Sequence, residues 1–437
     1  MKKSFLFLLL LSFLFSCKEK SDRPNASSLD EIAKNYVRLA LVIGQYDESF
    51  VDAYYGPDSL RPTTTPSSVF PKDSLLEEVR ILRDQLELFE QEDVDSLLQH
   101  RAGWIADQVI AFDRRIRIFS GEYGTFDEES KDLFGVIAPV YEEAWFQAQI
   151  HQLDSLLPGE GSAFDRFQAL ANRFIIPKEK LDTVFRAAIG ECRARTLRYY
   201  DLPANEDFRL EYVTNKSWSG YNWYKGNYQS LIQMNTDLNI FIDRAIDVGS
   251  HESYPGHHVY NMLLEQNLYA NKGLIEISMY PLFSPQSLIA EGSANYGIDV
   301  VFPGNDKVEF ARNVLLPLAG LDTTGIDLYF KALAIKGRLN YVRNEVGRKM
   351  LSGEMTEEVA LKWLMDYGLY NAETAAKGIS FIKGNRSYVI NYNYGMDLVK
   401  AWVERQLGDA PTEAKRWEVF GTLLSNEVRI RELLVNQ

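Results

Sequence analysis

The apolar residues of this chain recur every three or four positions, the period of helices that pack one face on a core. The first such stretch follows Ser28 and Glu31, which have the spacing of a helix-capping box. Its apolar face comprises Ile32, Tyr36, Leu39 and Ile43. We therefore expect the ordered part of the chain to begin with a helix at residue 28.

The same spacing continues through most of the chain and predicts a mainly α fold. It is found between 76 and 119 and again in 163–199, 308–352, 356–367 and 395–407. The exception is about 208–240, where Tyr, Trp, Asn and Gly are frequent and apolar residues alternate with a period of two. We predict a single large helical domain over 28–437, or two lobes around a cleft, with a small β-sheet or edge strands beside the candidate metal-binding helix.

The first sixteen residues have the pattern of a secretory signal peptide. Two lysines precede eleven residues, Phe5 to Phe15, which are apolar except for one serine and are too few to span a bilayer as a helix. The segment ends in Leu-Phe-Ser-Cys, which looks like a bacterial lipobox. We predict a signal peptide over 1–16, lipid attachment at Cys17 and a flexible tether over 17–27. A plain signal peptide cut near Ser16 is the alternative.

The charge balance excludes some partners. With 61 acidic and 47 basic residues, the net charge is −14, which argues against nucleic acid and against unaided adhesion to anionic lipid. A lipid on Cys17 would leave Cys192 as the only other cysteine, so an exported chain would have no intramolecular disulfide. We predict an exported lipoprotein, facing the periplasm or on the cell surface, whose contact with the membrane is the N-terminal anchor alone.

Three of the five histidines lie within eight residues, at His251, His257 and His258. Zinc sites use imidazoles and carboxylates, commonly with histidines four residues apart on one helix. Here that position is Pro255, which breaks a helix, and Gly256 loosens the turn further. Looping out these two residues restores the four-residue relation between His251 and His257. We favour His257 as the second ligand and give His258 a supporting or transition-state role, with the two assignments exchangeable.

Carboxylates complete the candidate site. Glu252 follows the first histidine and is placed to act as general base. Glu291, Asn295 and Asp299 share one helical face, so Glu291 can be the third ligand while the other two support the site. Small residues at 292–294 would let this helix pack close to the histidine helix. The alternatives are a polar helix start without metal and a solvated Glu291.

The motif His251–His258, with Glu291–Asn295 downstream, resembles the bacterial family known as domain of unknown function 885, many of whose members are exported lipoproteins regarded as zinc peptidases. The resemblance implies a mostly helical, distant relative of gluzincin peptidases, with Glu252 as base and Glu291 as ligand. One departure is Ser293, where a large residue is expected. The likeness extends to Tyr36-Val-Arg-Leu-Ala-Leu, Val51-Asp-Ala-Tyr-Tyr-Gly-Pro57 and Leu231-Ile-Gln-Met-Asn-Thr-Asp237.

The same analogy suggests how a substrate is held. The segment 221–235 is predicted to be an edge strand that pairs with an extended peptide. Near the C-terminus, Arg386 and Tyr392 are candidates to hold a C-terminal carboxylate or to stabilise an oxyanion. An aromatic loop packed on the core is the alternative for this segment.

The leading hypothesis is a hydrolase with one divalent zinc ion that cleaves short peptides by metal-activated water, with Glu252 as base. A metallohydrolase of another amide or ester is the second. The third is a non-catalytic helical lipoprotein that captures peptide or glycan, with the aromatic residues around 218–228 as a stacking platform.

Overall fold

The computed structural model describes residues 25–91, 94–216, 218–409 and 411–434. The predicted signal peptide, the lipid attachment site at Cys17 and most of the predicted tether lie outside the described residues.

The predicted mainly α fold is confirmed. None of the described helices is long and apolar enough to cross a membrane. In chain order, the helices are α1 Ala26–Gly44, α2 Lys72–Glu87, α3 Ser96–Phe119, α4 Phe126–Phe134, α5 Glu143–Leu156, α6 Ala163–Ala171, α7 Leu181–Thr196, α8 Ile242–Val248, α9 His257–Leu264, α10 Pro285–Val301, α11 Asp306–Phe310, α12 Leu316–Ala319, α13 Ile326–Arg338, α14 Val342–Leu351, α15 Glu357–Gly368, α16 Ala372–Asn385, α17 Ile390–Leu407, α18 Glu413–Leu424 and α19 Ile430–Leu434.

The strands form two small sheets. Their bounds are β1 Val51–Tyr54, β2 Asp207–Val213, β3 Gly220–Gly226, β4 Gln229–Asn235 and β5 Met279–Pro281. In the larger sheet β4 is central, parallel to β2 and antiparallel to β3. This makes β3 an edge strand, as predicted for 221–235, whereas β4, in the second half of that segment, is the central strand and has no free edge. The sheet has three strands where one or two were predicted, and β1 pairs with β5 in a second sheet.

The first helix begins earlier than the spacing of Ser28 and Glu31 predicts. Asn25 is the N-cap, and its side chain accepts from the backbone N–H of Ser28 at 3.1 Å. The Ser28 hydroxyl in turn lies 3.1 Å from the Asn25 backbone N–H. Ser28 is therefore the last residue of the capping box, at position N3, rather than its first, because Asn is as good an N-cap as Ser.

One hydrophobic cluster includes buried side chains from α1 through to α19. Within it, α10 and α17 approach most closely at two glycines. A methyl group on Gly292 would lie 2.4 Å from the carbonyl oxygen of Gly395. The small residue at 292 therefore allows contact with α17, and not with the histidine segment as expected. Contact with that segment is made by the side chains of Glu291 and Asn295 and, further along α10, by Gly297, which faces the Pro255 ring.

We expect Gly292→Ala to destabilise the protein by about 1–3 kcal/mol, because the added methyl group overlaps backbone that must shift. Gly190→Ala is the matched control, since this helical glycine has no atom within 4 Å of the added methyl position. That substitution should be neutral or stabilise by up to about 1 kcal/mol. Urea unfolding of both variants measures the difference, and equal midpoints would contradict the close approach.

Candidate metal centre

The histidine motif spans a broken helix. Helix α8 continues into a π-helical segment, Gly249–Ser253, and the chain then turns before α9 begins at His257. The turn is tight, because a methyl group on Gly256 would lie 1.9 Å from the carbonyl oxygen of His251. The predicted break at the Pro-Gly pair is confirmed, and it folds the two ends of the motif back on each other.

The turn brings three ligand-type side chains together. The Nε2 atoms of His251 and His257 are 3.1 Å apart. Glu291 Oε2 lies 3.3 Å from His251 Nε2 and 3.7 Å from His257 Nε2. Candidate ligand atoms of all three residues lie within 4.8 Å of one another. These are the three residues that the sequence nominates as ligands.

The tautomer of His251 follows from its neighbours. Asn295 donates its side-chain N–H to the carbonyl oxygen of Tyr392 at 3.0 Å, which turns its amide oxygen towards His251. That oxygen lies 3.1 Å from His251 Nδ1, so the Nδ1 proton is donated to it. Nε2 therefore presents its lone pair to His257 and Glu291. Asn295 thus supports the site as expected, whereas Asp299 pairs with Lys307 at 3.3 Å.

Glu291 is buried, and only one of its two carboxylate oxygens has a hydrogen-bond donor among the described residues. Its Oε1 accepts from the Tyr388 hydroxyl at 3.0 Å, whereas Oε2 has no hydrogen-bond donor among the described residues. Burial alone would raise the pKa of Glu291, but His251 and His257 hold it well below its usual value. Burial lowers the pKa of His257, but the carboxylates of Glu291, Glu252 and Asp52 raise it by more, to about 9. The lowered pKa of Glu291 favours its carboxylate form, and the raised pKa of His257 favours its protonated form.

Glu252 lies beside this cluster, with Oε1 4.0 Å from His251 Nε2. Its backbone carbonyl accepts from the Asn222 side chain at 2.6 Å. Gly220 also faces it, since a methyl group there would lie 3.1 Å from Oε1. Both contacts come from the edge strand β3, which holds the peptide unit of Glu252 while its carboxylate accepts no hydrogen bond from the described residues.

The cluster lies in a cavity of about 550 Å³, within the range of small-molecule sites. The edge strand contributes Gly220, Tyr221 and Asn222 to its wall. Tyr392, a predicted catalytic residue, also lines it. Burial raises the pKa of Tyr392 well above its usual value, and nearby carboxylates add to this, so its hydroxyl keeps its proton. It can serve as a hydrogen-bond donor inside the cavity.

His258 does not reach the cavity. It is fully buried, with Nδ1 2.8 Å from the Ser230 hydroxyl and Nε2 3.1 Å from Glu206 Oε2. Tyr254 and Arg193 also donate to Glu206, and with His258 they lower its pKa to about 2 against the opposing effect of burial. One residue along a helix turns a side chain by about 100°, so His258 faces the sheet when His257 faces the cavity.

Arg386, the predicted anion-binding residue, also lies away from the cavity. Its Nε donates to Glu129 Oε2 at 2.6 Å, and its guanidinium lies 4.2 Å from the centre of the Tyr123 ring. Glu129 is fully buried and requires a cation, because an unpaired carboxylate in the interior is costly. The spacing of residues in the sequence carries no information about this partner.

Sequence reasoning missed Arg343, which lines the cavity. Its guanidinium lies over the rings of Phe381 and Tyr392, at 5.0 and 5.8 Å from their centres. Its Nε is buried without a hydrogen-bond partner, and no carboxylate among the described residues lies within salt-bridge distance. A single arginine on an amphipathic helix gives no signal of this placement.

Asp52 was also missed as a site residue, although it falls in a segment that carries the family resemblance. Pairing of β1 with β5 skips it, because Val51 pairs with Pro281 and Ala53 with the next residue, Tyr280. Such a bulge redirects a side chain, here into the cavity wall. The carboxylate accepts from the Tyr221 hydroxyl. Burial raises the pKa of Asp52 to about 6, although Tyr221 and His257 oppose the shift.

Comparison with known proteins gives no assignment from sequence. No family model matches the chain. No curated protein matches it either. Membership of the domain of unknown function 885 family therefore stays a prediction from the motifs.

Solved structures are similar in fold at low identity. A "putative lipoprotein" from Colwellia psychrerythraea aligns with a TM-score of 0.50 and 16% identity over 84% of this chain and 66% of that one. A "putative lipoprotein of unknown function" from Shewanella oneidensis has a TM-score of 0.47 and 12% identity, over 83% and 72%. Trypanosoma cruzi metallocarboxypeptidase 1 aligns with a TM-score of 0.45 and 11% identity, over 91% of this chain and 90% of that one. This chain thus spans just under two thirds of the Colwellia protein, and that likeness shows a shared fold alone.

Proposed function

We propose that this chain is a metal-dependent hydrolase that cleaves peptide bonds, with one zinc ion held by His251, His257 and Glu291. The observation that carries the proposal is the convergence of two imidazole nitrogens and one carboxylate oxygen, all within 4.8 Å of one another. Two histidines and one glutamate form a usual ligand set of catalytic zinc, which leaves a position for water.

The side chains fit a cation on independent grounds. Two imidazole nitrogens that face each other at 3.1 Å repel unless a proton or a metal lies between them. Glu291 Oε2 is buried and has no donor among the described residues, which is costly unless a cation satisfies it. The Asn295 side chain holds His251 in the tautomer that a metal requires.

The chain supplies the remaining groups. A bound zinc ion would act as a Lewis acid and would lower the pKa of water. Glu252 is free to accept the proton of the attacking water, because its carboxylate is not engaged by the described residues. The Tyr392 hydroxyl donates a hydrogen bond to the oxyanion that forms at the substrate carbonyl. The side of β3 that pairs with no described strand binds the substrate main chain beside these groups.

The predicted signal peptide and the lipid on Cys17 complete the proposal, which places the enzyme outside the cytoplasm on a lipid anchor. Support for this part is confined to the N-terminal sequence. Metabolic labelling with a radioactive fatty acid tests it. Label in the intact protein and none in Cys17→Ser is the expected result.

We expect Glu291→Gln to abolish stoichiometric zinc, because the substitution removes the buried negative charge and keeps the side-chain shape. His151→Ala is the control, since this exposed residue of α5 is remote in sequence from the cluster and should bind zinc as the wild type does. Elemental analysis after dialysis against zinc-free buffer measures the content. Full zinc content in Glu291→Gln would remove the ligand assignment.

We expect Glu252→Gln to keep its zinc and to lose hydrolysis by roughly 10²–10⁴-fold, the usual contribution of a general base. Turnover of a short-peptide library, with an ester and amide panel beside it, measures the loss and separates peptidase from other hydrolase activity. Full activity of the variant on every substrate would contradict the role of Glu252.

The binding-lipoprotein hypothesis has its own supporting observation. Trp218, Tyr221 and Trp223 form a row of rings, with centres 5.6 and 4.4 Å apart along it. A stacking platform of this kind predicts ligand binding that survives both a chelator and His251→Ala. If ligand binding survives both treatments and no substrate is hydrolysed, the binding-lipoprotein hypothesis is favoured over the hydrolase.

A further inference from the structure

Two charged side chains of the cavity form no salt bridge among the described residues. The other ions of its wall are paired or assigned: Arg244 pairs with Asp247 at 3.0 Å and Lys377 with Glu373 at 3.3 Å, and Glu252 and Glu291 belong to the metal centre. This leaves one carboxylate, Asp52, and one guanidinium, Arg343, without a salt bridge among the described residues.

Arg343 lines the cavity with hydrogen-bond donors that an anion could accept. Its guanidinium lies over the rings of Phe381 and Tyr392, and its Nε is buried without an acceptor among the described residues. A planar fork of this kind binds a carboxylate through two parallel hydrogen bonds. The packing on aromatic rings explains where the side chain lies, but it leaves the donors of the fork unsatisfied.

Asp52 lines the cavity with a carboxylate that a cation could bind. The bulge in β1 turns it into the cavity, and Tyr221 donates to it. An ionised carboxylate accepts about four hydrogen bonds, so a single hydroxyl leaves most of its acceptor capacity for a ligand. A straight strand would have satisfied the pairing of β1 and β5 without this placement, and bulges are common beside active sites.

We propose that Asp52 binds a primary ammonium group and Arg343 binds a carboxylate group of the same ligand, so that the preferred substrate is a short peptide with both termini free. The inference rests on the proposed function. Both residues line the one cavity that contains the metal centre, and its volume of about 550 Å³ suits a ligand of a few residues. The fixed charges of such a peptide are its α-ammonium and its α-carboxylate.

The first experiment compares blocked forms of one peptide. A short peptide without Lys, Arg, His, Asp or Glu is prepared with both ends free, acetylated, amidated, and blocked at both ends. Each block should lower kcat/KM by roughly 10–100-fold, the range for the loss of one charged hydrogen-bonded contact. Acetylated peptides with Lys and amidated peptides with Glu test whether side chains are the source of the ammonium or carboxylate, and their recovery of activity would overturn the assignment to the termini.

The second experiment assigns each end to its residue. In Asp52→Asn the preference for a free N-terminus should disappear while the preference for a free C-terminus remains. Arg343→Met should show the reverse. Asp247→Asn and Lys377→Met are the matched controls, because these residues line the same cavity but are paired, and both preferences should keep their wild-type size.

Binding separates this inference from the proposed function. Calorimetry with Glu252→Gln measures the affinity of the same four peptides without turnover. Preference for free ends without hydrolysis in the wild type would support the inference and overturn the peptidase proposal. Hydrolysis or binding that is indifferent to blocking would overturn the inference alone. A uniform loss over all four peptides in Asp52→Asn or Arg343→Met would show a merely structural role and would also overturn it.

Discussion

The turn that Pro255 and Gly256 impose between two histidines is the constraint on which the candidate site depends. An unbroken helix would displace His251 and His257 along its axis and around it. The turn instead stacks the chain on itself so closely that a methyl group on Gly256 would overlap the backbone carbonyl of His251. The result is a pair of facing imidazole nitrogens at 3.1 Å, to which every other group of the site is oriented.

The surrounding fold serves to bring carboxylates and hydroxyls against this turn. Glycines at the crossing of α10 and α17 allow the two backbones to touch, and this contact sets Glu291 beside both Tyr388 and the histidines. The edge strand β3 contacts Glu252, and its Asn222 side chain donates a hydrogen bond to the backbone carbonyl of that residue. Helix packing therefore supplies the ligand, and the small sheet positions the base.

Most buried charges among the described residues are paired with an opposite charge. Away from the cavity, Glu206 is paired with His258 and Glu129 with Arg386, whereas Glu427 forms no salt bridge among the described residues. Pairing of this kind offsets the cost of removing ions from water. Inside the cavity, Glu291 keeps one oxygen without a donor among the described residues, and Arg343 its buried Nε. Both residues line one cavity, in which a ligand can supply the missing partners.

The sequence by itself predicted the mainly α fold, the break in the metal-binding segment and the candidate ligands His251 and Glu291, and it left His257 and His258 exchangeable. Helical period, proline chemistry and histidine spacing are local features that depend on residues within a few positions of one another, whereas Glu291, 34 residues after His257, was identified from its own helical face and from the family resemblance. The tertiary structure alone decided that His258 faces Glu206, that Arg386 pairs with Glu129, and that Asp52 and Arg343 line the cavity. Partners of that kind are up to 257 residues apart, and only the packing of helices on one core decides which of them meet.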